Sequence, residues 1–303
     1  MGKFKTSIGG QAVMGGISMK GPELTCLALR MPDGTIKKEI TKSEKNPVSK
    51  IPVARGVAAI IIAFKNGYEQ LMKSADAIVA DVEEDAFDRM LKKVFGEKSD
   101  NVIEYVAAAL AACLSVGLFV VLPTVITGLI SLVIPLGVFK ALIEGIIKIC
   151  IFLGYIYLSS RMKEIQEVFK YHGAEHKTIF CYEDGAELTV ENVRKYGRFH
   201  PRCGTSYMFI VILISILVFT FVPWTSTWLR VVYKILSLPL IMGVSYECLK
   251  YAGKHDNKLA VIMRTPGLLV QRLTVFEPDD DMIEVAIAAM KEVIPENPEE
   301  ASI

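Results

Sequence analysis

Two stretches of this chain carry no charged side chain, Tyr105 to Phe139 and Cys203 to Leu229. A helix needs about 20 apolar residues to cross the hydrocarbon core of a bilayer. Each stretch exceeds that length, so the sequence predicts an integral membrane protein. The charge is segregated rather than scarce: charged residues make up 22% of the chain, and 34 Lys plus Arg nearly balance 33 Asp plus Glu. A net charge of +1 gives no basic surplus for nucleic acid, and no nucleic-acid partner is expected.

Pro123 and Pro135 interrupt the first stretch, and a proline removes a helix hydrogen bond and clashes with the preceding turn. The pattern therefore predicts one span at about 102–122, a turn or shallow re-entrant piece over Thr124 to Leu136, and a second span at about 137–159. In that second span Glu144 and Lys148 are four apart, the spacing at which opposite charges meet on one helix face. A third span is expected from Tyr207 to Phe221, closed by Pro223, Trp224 and Trp228. A fourth is expected from Val231 to Tyr246, broken at Pro239. Lys and Arg crowd the segments before the first span, between the second and third, and after the fourth. By the positive-inside rule both termini and residues 161–202 are then cytoplasmic.

The expected fold is thus an α-helical membrane bundle of about four spans with a small cytoplasmic α+β domain assembled from N-terminal, central and C-terminal segments. Residues 1–101 supply a β-meander and amphipathic helices. Residues 102–160 and 203–247 form two transmembrane hairpins. Residues 161–202 are a cytoplasmic His/Cys segment, and 248–303 a cytoplasmic strand and helix. The meander reads as Gln11 to Met19, Leu24 to Met31 and Thr35 to Ile40, because Gly21-Pro22 and Pro32-Asp33-Gly34 are turn signals. Gly9, Gly10, Gly15 and Gly16 at its start mean either close backbone packing or a flexible entry. From Pro52 the apolar residues Val57, Ile60, Ile61, Phe64, Tyr68 and Leu71 recur at helical spacing; that helix lies on the membrane surface or packs on the sheet. Asp81 to Lys98 reads as a solvated charged stretch. Leu268 to Phe276 reads as a strand, followed by a helix to Ile294 with capping-box spacing between Asp281 and Glu284. The last residues read as frayed.

The segment Tyr171-His172-Gly173-Ala174-Glu175-His176 holds an H-x-x-E-H pattern. On a helix His172 and His176 project from one face one turn apart, a geometry that puts two imidazoles on one Zn²⁺. Glu175 is placed to activate a metal-bound water, as in the inverted zincin motif. A third ligand must come from elsewhere, and His200 and Cys203 are the candidates. Gly173 weakens the helix on which this depends. Zinc is the expected cofactor if there is one.

The chain resembles the YqhQ-like family of bacterial membrane proteins, on GGQAVMGGISMKGP (Gly9 to Pro22), IPVARGV (Ile51 to Val57), YHGAEHKTI (Tyr171 to Ile179), LTVENVRK (Leu188 to Lys195), HPRCGTS (His200 to Ser206) and PGLLVQRLTVFEP (Pro266 to Pro278). The resemblance implies a metal-dependent enzyme, the label that family carries. It departs at Gly15, where the family usually has glutamate.

Two functions fit these residues. One is a metal-dependent, hydrolase-like enzyme at the cytoplasmic face, with Glu175 as general base. The other is a non-enzymatic accessory, a homo-oligomeric platform among membrane lipid or a docking partner of the protein-export machinery. The glutamate missing at Gly15 tips the sequence reading toward the accessory.

Overall fold

The computed structural model describes residues 4–78, 99–224 and 226–301; the charged stretch Asp81 to Lys98 lies outside them. In chain order the elements are β1 (Gly9–Val13), β2 (Gly16–Lys20), β3 (Leu24–Arg30), β4 (Ile36–Lys42), α1 (Ala54–Ile78), α2 (Ser99–Val116), α3 (Leu122–Val133), α4 (Lys140–Ser159), α5 (Lys163–Glu183), α6 (Val190–Arg194), α7 (Gly204–Thr220), α8 (Thr227–Lys254), α9 (Lys258–Thr274) and α10 (Asp280–Val293). The chain divides into two compact units: Met1–Ile78 with Tyr155–Val211 and Pro239–Ile303, and Val79–Gly154 with Ile212–Leu238.

In the first unit the four strands form an antiparallel meander, β1-β2-β3-β4. The expected strand Gln11 to Met19 is in fact two strands folded at Met14-Gly15, with Val13 facing Gly16. Gly15 takes φ +64°, a conformation open to glycine at little cost, and this allows the reversal. Alternation then sorts the side chains by face. Ile17, Met19, Cys26 and Ala28 pack with Tyr171 and Ala174 of α5 and with Ile283, Ala286 and Met290 of α10. Val13, Leu27 and Leu29 form a smaller cluster with Ala77 of α1 on the other side.

The segment expected as the strand Leu268 to Phe276 is helical through Thr274. Its β-branched and aromatic residues suggested a strand, but Asn257 caps the helix by accepting from the Ala260 N–H. Ala260, Gly267, Val270, Gln271 and Thr274 then face inward at helical spacing. Only the next residues are extended, and the Phe276 N–H donates to Phe169 of α5. A Cβ at Gly173 would lie 2.0 Å from the Phe276 carbonyl oxygen. That close approach explains a glycine inside α5, and the helix runs through it unbroken. The N-cap of α10 is Asp279, and Glu284 pairs with Arg30 instead of closing a capping box. The C-terminal tail is not frayed at residue 301, since Ala301 is buried and its carbonyl accepts from Thr6 and Ser7.

In the second unit the piece Thr124 to Leu136, expected as a turn or a shallow re-entrant piece, is helix as far as Val133. Five residues of π-helix, Gly117–Val121, precede α3. They absorb the ring and missing donor of Pro123, which falls in the first turn of α3, where proline is tolerated. Among the described residues three stretches are long and apolar enough to cross a membrane, Val106–Val133, Lys140–Ser159 and Trp228–Lys254; α7 is a shorter apolar helix. α8 passes through Pro239 without ending.

The expected pairing of Glu144 with Lys148 is replaced by another. Glu144 is held by Arg230, at 3.1 Å, and by Lys234. Those two cations are themselves one helical turn apart on α8, so both reach one carboxylate. Thr124 Oγ1 donates to Glu144 (2.9 Å) and receives from Lys234 (2.7 Å). Lys148 instead donates to Ser215 Oγ at 3.0 Å.

Candidate metal centre

α5 carries His172, Glu175 and His176 on its buried middle turns, and the two imidazole centroids lie 4.4 Å apart. Cys203 directly precedes α7, and the Thr205 N–H points at its Sγ at 3.4 Å. One donor atom from each of His172, His176 and Cys203 falls within 4.8 Å of the others. His172 Nε2 and Cys203 Sγ are 3.1 Å apart; on a tetrahedral zinc such a pair is separated by about 3.5 Å, from bond lengths of about 2.0 and 2.3 Å.

The ring orientations suit a metal as well. His172 Nδ1 donates to the Thr274 carbonyl at 3.1 Å, and His176 Nδ1 donates to the Arg198 carbonyl at 2.6 Å. A carbonyl can only accept, so each Nδ1 carries a proton; in the neutral imidazole the lone pair is then on Nε2, the tautomer that metal-binding histidines require. The donor set, two imidazoles and a thiol, fits a borderline-soft ion such as Zn²⁺.

His200, a candidate third ligand in the sequence, stands outside this donor group. Its backbone is clasped by the Gln271 amide, which accepts from the His200 N–H at 2.8 Å and donates to its carbonyl at 2.7 Å. Its ring packs against Phe180 and His176, with Arg202 and Glu183 at its nitrogens. Burial pushes the His200 imidazole down to about 4, with the Glu183 contact opposing. Burial acts to raise the Glu183 carboxyl, but the nearby His200 ring, Arg202 and the Thr6 N–H outweigh it and hold the group below the usual carboxylate range.

Glu175 is buried, and its Oε1 accepts from the Gly10 N–H at 2.9 Å. Burial raises its carboxyl above the ordinary range, with His172 and the Gly10 N–H opposing. A Cβ at Gly10 would lie 2.9 Å from Met19 Sδ and 3.1 Å from Glu175 Cδ. Of the two readings of the early glycines, this one is close packing. The side chains of His172, Glu175, His176, Arg202 and Cys203 line a cavity of about 200 Å³.

Four separate segments thus supply one site: Gly10 from β1, the His-Glu-His turn of α5, His200 to Cys203, and Gln271 with Thr274 from α9. These fall within four of the segments on which the sequence resemblance rests. The model of a family described as a protein of unknown function, DUF1385, matches residues 51–296. The chain belongs to this family. An uncharacterized protein of Bacillus subtilis (strain 168), YqhQ, is 36% identical over 301 residues, covering 96% of this chain and 93% of the relative. No solved structure matches. Within the family's matched span lie His172, Glu175, His176 and Cys203, whereas Gly10 precedes it.

Sequence reasoning missed Thr274, Gln271 and the Arg198 carbonyl. The first two were hidden by reading α9 as a strand. A backbone carbonyl carries no residue-type signal at all.

Proposed function

We propose that this family member is a multi-pass membrane metalloprotein of hydrolase-like chemistry, with one zinc-class ion held by His172, His176 and Cys203. The observation that carries the reading is the pair of Nδ1 hydrogen bonds to the Thr274 and Arg198 carbonyls, which turn both Nε2 atoms toward Cys203 Sγ, that of His172 to 3.1 Å. Three protein ligands leave a fourth position open, the pattern of catalytic rather than structural zinc. A bound ion of this kind would polarise a substrate carbonyl or phosphoryl oxygen and acidify a water.

The chain's own residues supply the remainder. Gly10 fixes one oxygen of Glu175, and among the described residues no hydrogen bond engages the other. That oxygen is placed to take a proton in the cavity, the general-base role. The three apolar stretches and the Lys and Arg bias support a bacterial plasma-membrane location with the site at the cytoplasmic face.

The glutamate missing at Gly15 does not weigh against this reading. Gly15 sits at the β1–β2 turn, where a Cβ would meet Ile78 at 2.2 Å and the Arg30 carbonyl. It lies at the far end of β1 from Gly10, and its neighbours there are not the site residues.

Metal analysis of the purified chain, with Glu175→Gln beside His176→Ala, tests the proposal. Glu175→Gln should keep its metal and lose cellular function, and His176→Ala should lose both. A metal-replete Glu175→Gln protein that fully complements a deletion strain would return the site to a structural role and the chain to the accessory reading.

A further inference from the structure

The faces of α1 are sorted in a way that does not suit water. Its buried residues are Gly56, Gly67, Gln70 and Ser74, with no apolar side chain among them. Ile61, Phe64 and Leu71, spaced three and seven apart on a neighbouring stripe, are exposed, Phe64 to 74%. A helix in water buries its apolar stripe and exposes its polar one. The arrangement in α1 calls for an apolar medium over the stripe.

α9 is sorted similarly. It buries Ala260, Gly267, Val270, Gln271 and Thr274, with Val270 the one large apolar side chain among them, whereas Leu259, Ile262 and Leu269 are exposed, Ile262 to 67%. Lys258 and Arg272 are exposed at its two ends. Cations flanking an exposed apolar stripe suit a headgroup boundary.

Both helices are tied to α8, whose Trp228–Lys254 stretch can cross a membrane. α9 begins at Lys258, just after α8 ends at Lys254. α1 starts against α8: a Cβ at Gly56 would lie 2.7 Å from Tyr246 Cβ, and Arg55 Nε donates to Glu247 at 2.7 Å. Continuity with that apolar helix decides the occupant. We infer that α1 and α9 lie in the headgroup–acyl boundary of one leaflet, with Ile61, Phe64 and Leu71 of α1 and Leu259, Ile262 and Leu269 of α9 facing lipid. The inference rests on α8 spanning the membrane. It also places the candidate metal centre close to lipid, because the inner face of α9 holds His172 through Thr274 and His200 through Gln271, and a helix is about 10 Å thick.

The test uses the full chain reconstituted in phosphatidylglycerol–phosphatidylethanolamine vesicles. First, the native Trp224 and Trp228 report on spanning: their emission should be quenched by lipids with brominated acyl chains, and its absence would fail the spanning reading itself. Next, with both replaced by phenylalanine, Phe64→Trp and Ile262→Trp are measured separately, each after circular dichroism and gel filtration match the parent. The expected result is strong quenching by bromine near the carboxyl end of the acyl chain, weaker quenching by bromine near the chain end, and little by aqueous acrylamide. Either probe quenched by acrylamide and not by bromine would overturn the inference. So would a probe shielded from both quenchers, which would mean that protein, a partner or a second copy, covers the stripe.

Discussion

His172 and Thr274 are joined by one hydrogen bond, Nδ1–H to carbonyl oxygen at 3.1 Å, across 102 residues of sequence. The bond sets the imidazole tautomer and turns Nε2 toward Cys203. It also makes the donor set depend on the path of the chain from Thr274 to Phe276, which runs over Gly173.

Gly173→Ala tests that dependence. The added Cβ would lie 2.0 Å from the Phe276 carbonyl oxygen, a backbone atom that cannot turn aside. Alanine gains about 1 kcal/mol in helix propensity, but overpacking of this kind costs about 1–3 kcal/mol. The melting temperature should fall. Because outer hydrogen bonds of metal ligands are worth about 10- to 100-fold in affinity, zinc affinity measured by competition with a chelator should fall as well. A variant with unchanged stability and affinity would show that Thr274 does not set the ring.

How much of this was legible beforehand follows from the kind of signal each residue leaves. His172, Glu175 and His176 were readable because helical spacing alone puts them together on one turn. Cys203 was readable as a candidate, but nothing local separated it from His200; the choice comes from the Gln271 clasp, which lies in another part of the chain. In the apolar segments one misreading is local and one is distant. Pro123 reads as a helix breaker, and only the π-helical residues before it show how the helix continues. Glu144 reads as a partner of Lys148 by spacing, whereas α8 brings two stronger partners from far along the chain.

The charge cluster of the second unit gives a stability prediction. Glu144 is the carboxylate that holds both Arg230 and Lys234, all three buried. Glu144→Ala strands the two cations, and breaking a buried pair costs about 3–5 kcal/mol. Thermal unfolding in detergent should show the loss, with recovery when Arg230→Met and Lys234→Met are added. Equal stability of the single variant and the parent would contradict the pairing.

Glu277 gives a pH prediction. Burial acts to raise its carboxyl, but Lys177 and Arg198 outweigh it and hold the group below the ordinary glutamate range. A folded-state value below the unfolded one contributes stability above about pH 4.5, lost as pH falls through the folded value. The side chain is over half exposed, so the contribution is no more than about 1 kcal/mol. Glu277→Gln should flatten the acid side of the stability profile; an unchanged profile would mean that the ion pairs contribute nothing.

Glu175→Gln separates base from ligand. Removing a general base typically costs about 10²–10⁴-fold, so complementation of a deletion strain should collapse while metal content and melting temperature stay near those of the parent. Full complementation would contradict the catalytic role.

Zinc K-edge X-ray absorption on the purified full chain reads the ligand set directly. The expected result is about one ion per chain, with one sulfur at about 2.3 Å and two imidazole nitrogens at about 2.0 Å. Cys203→Ser should remove the sulfur shell, and His172→Ala or His176→Ala should release the metal. A chain that binds no metal, or one whose bound metal shows no sulfur neighbour, would contradict it.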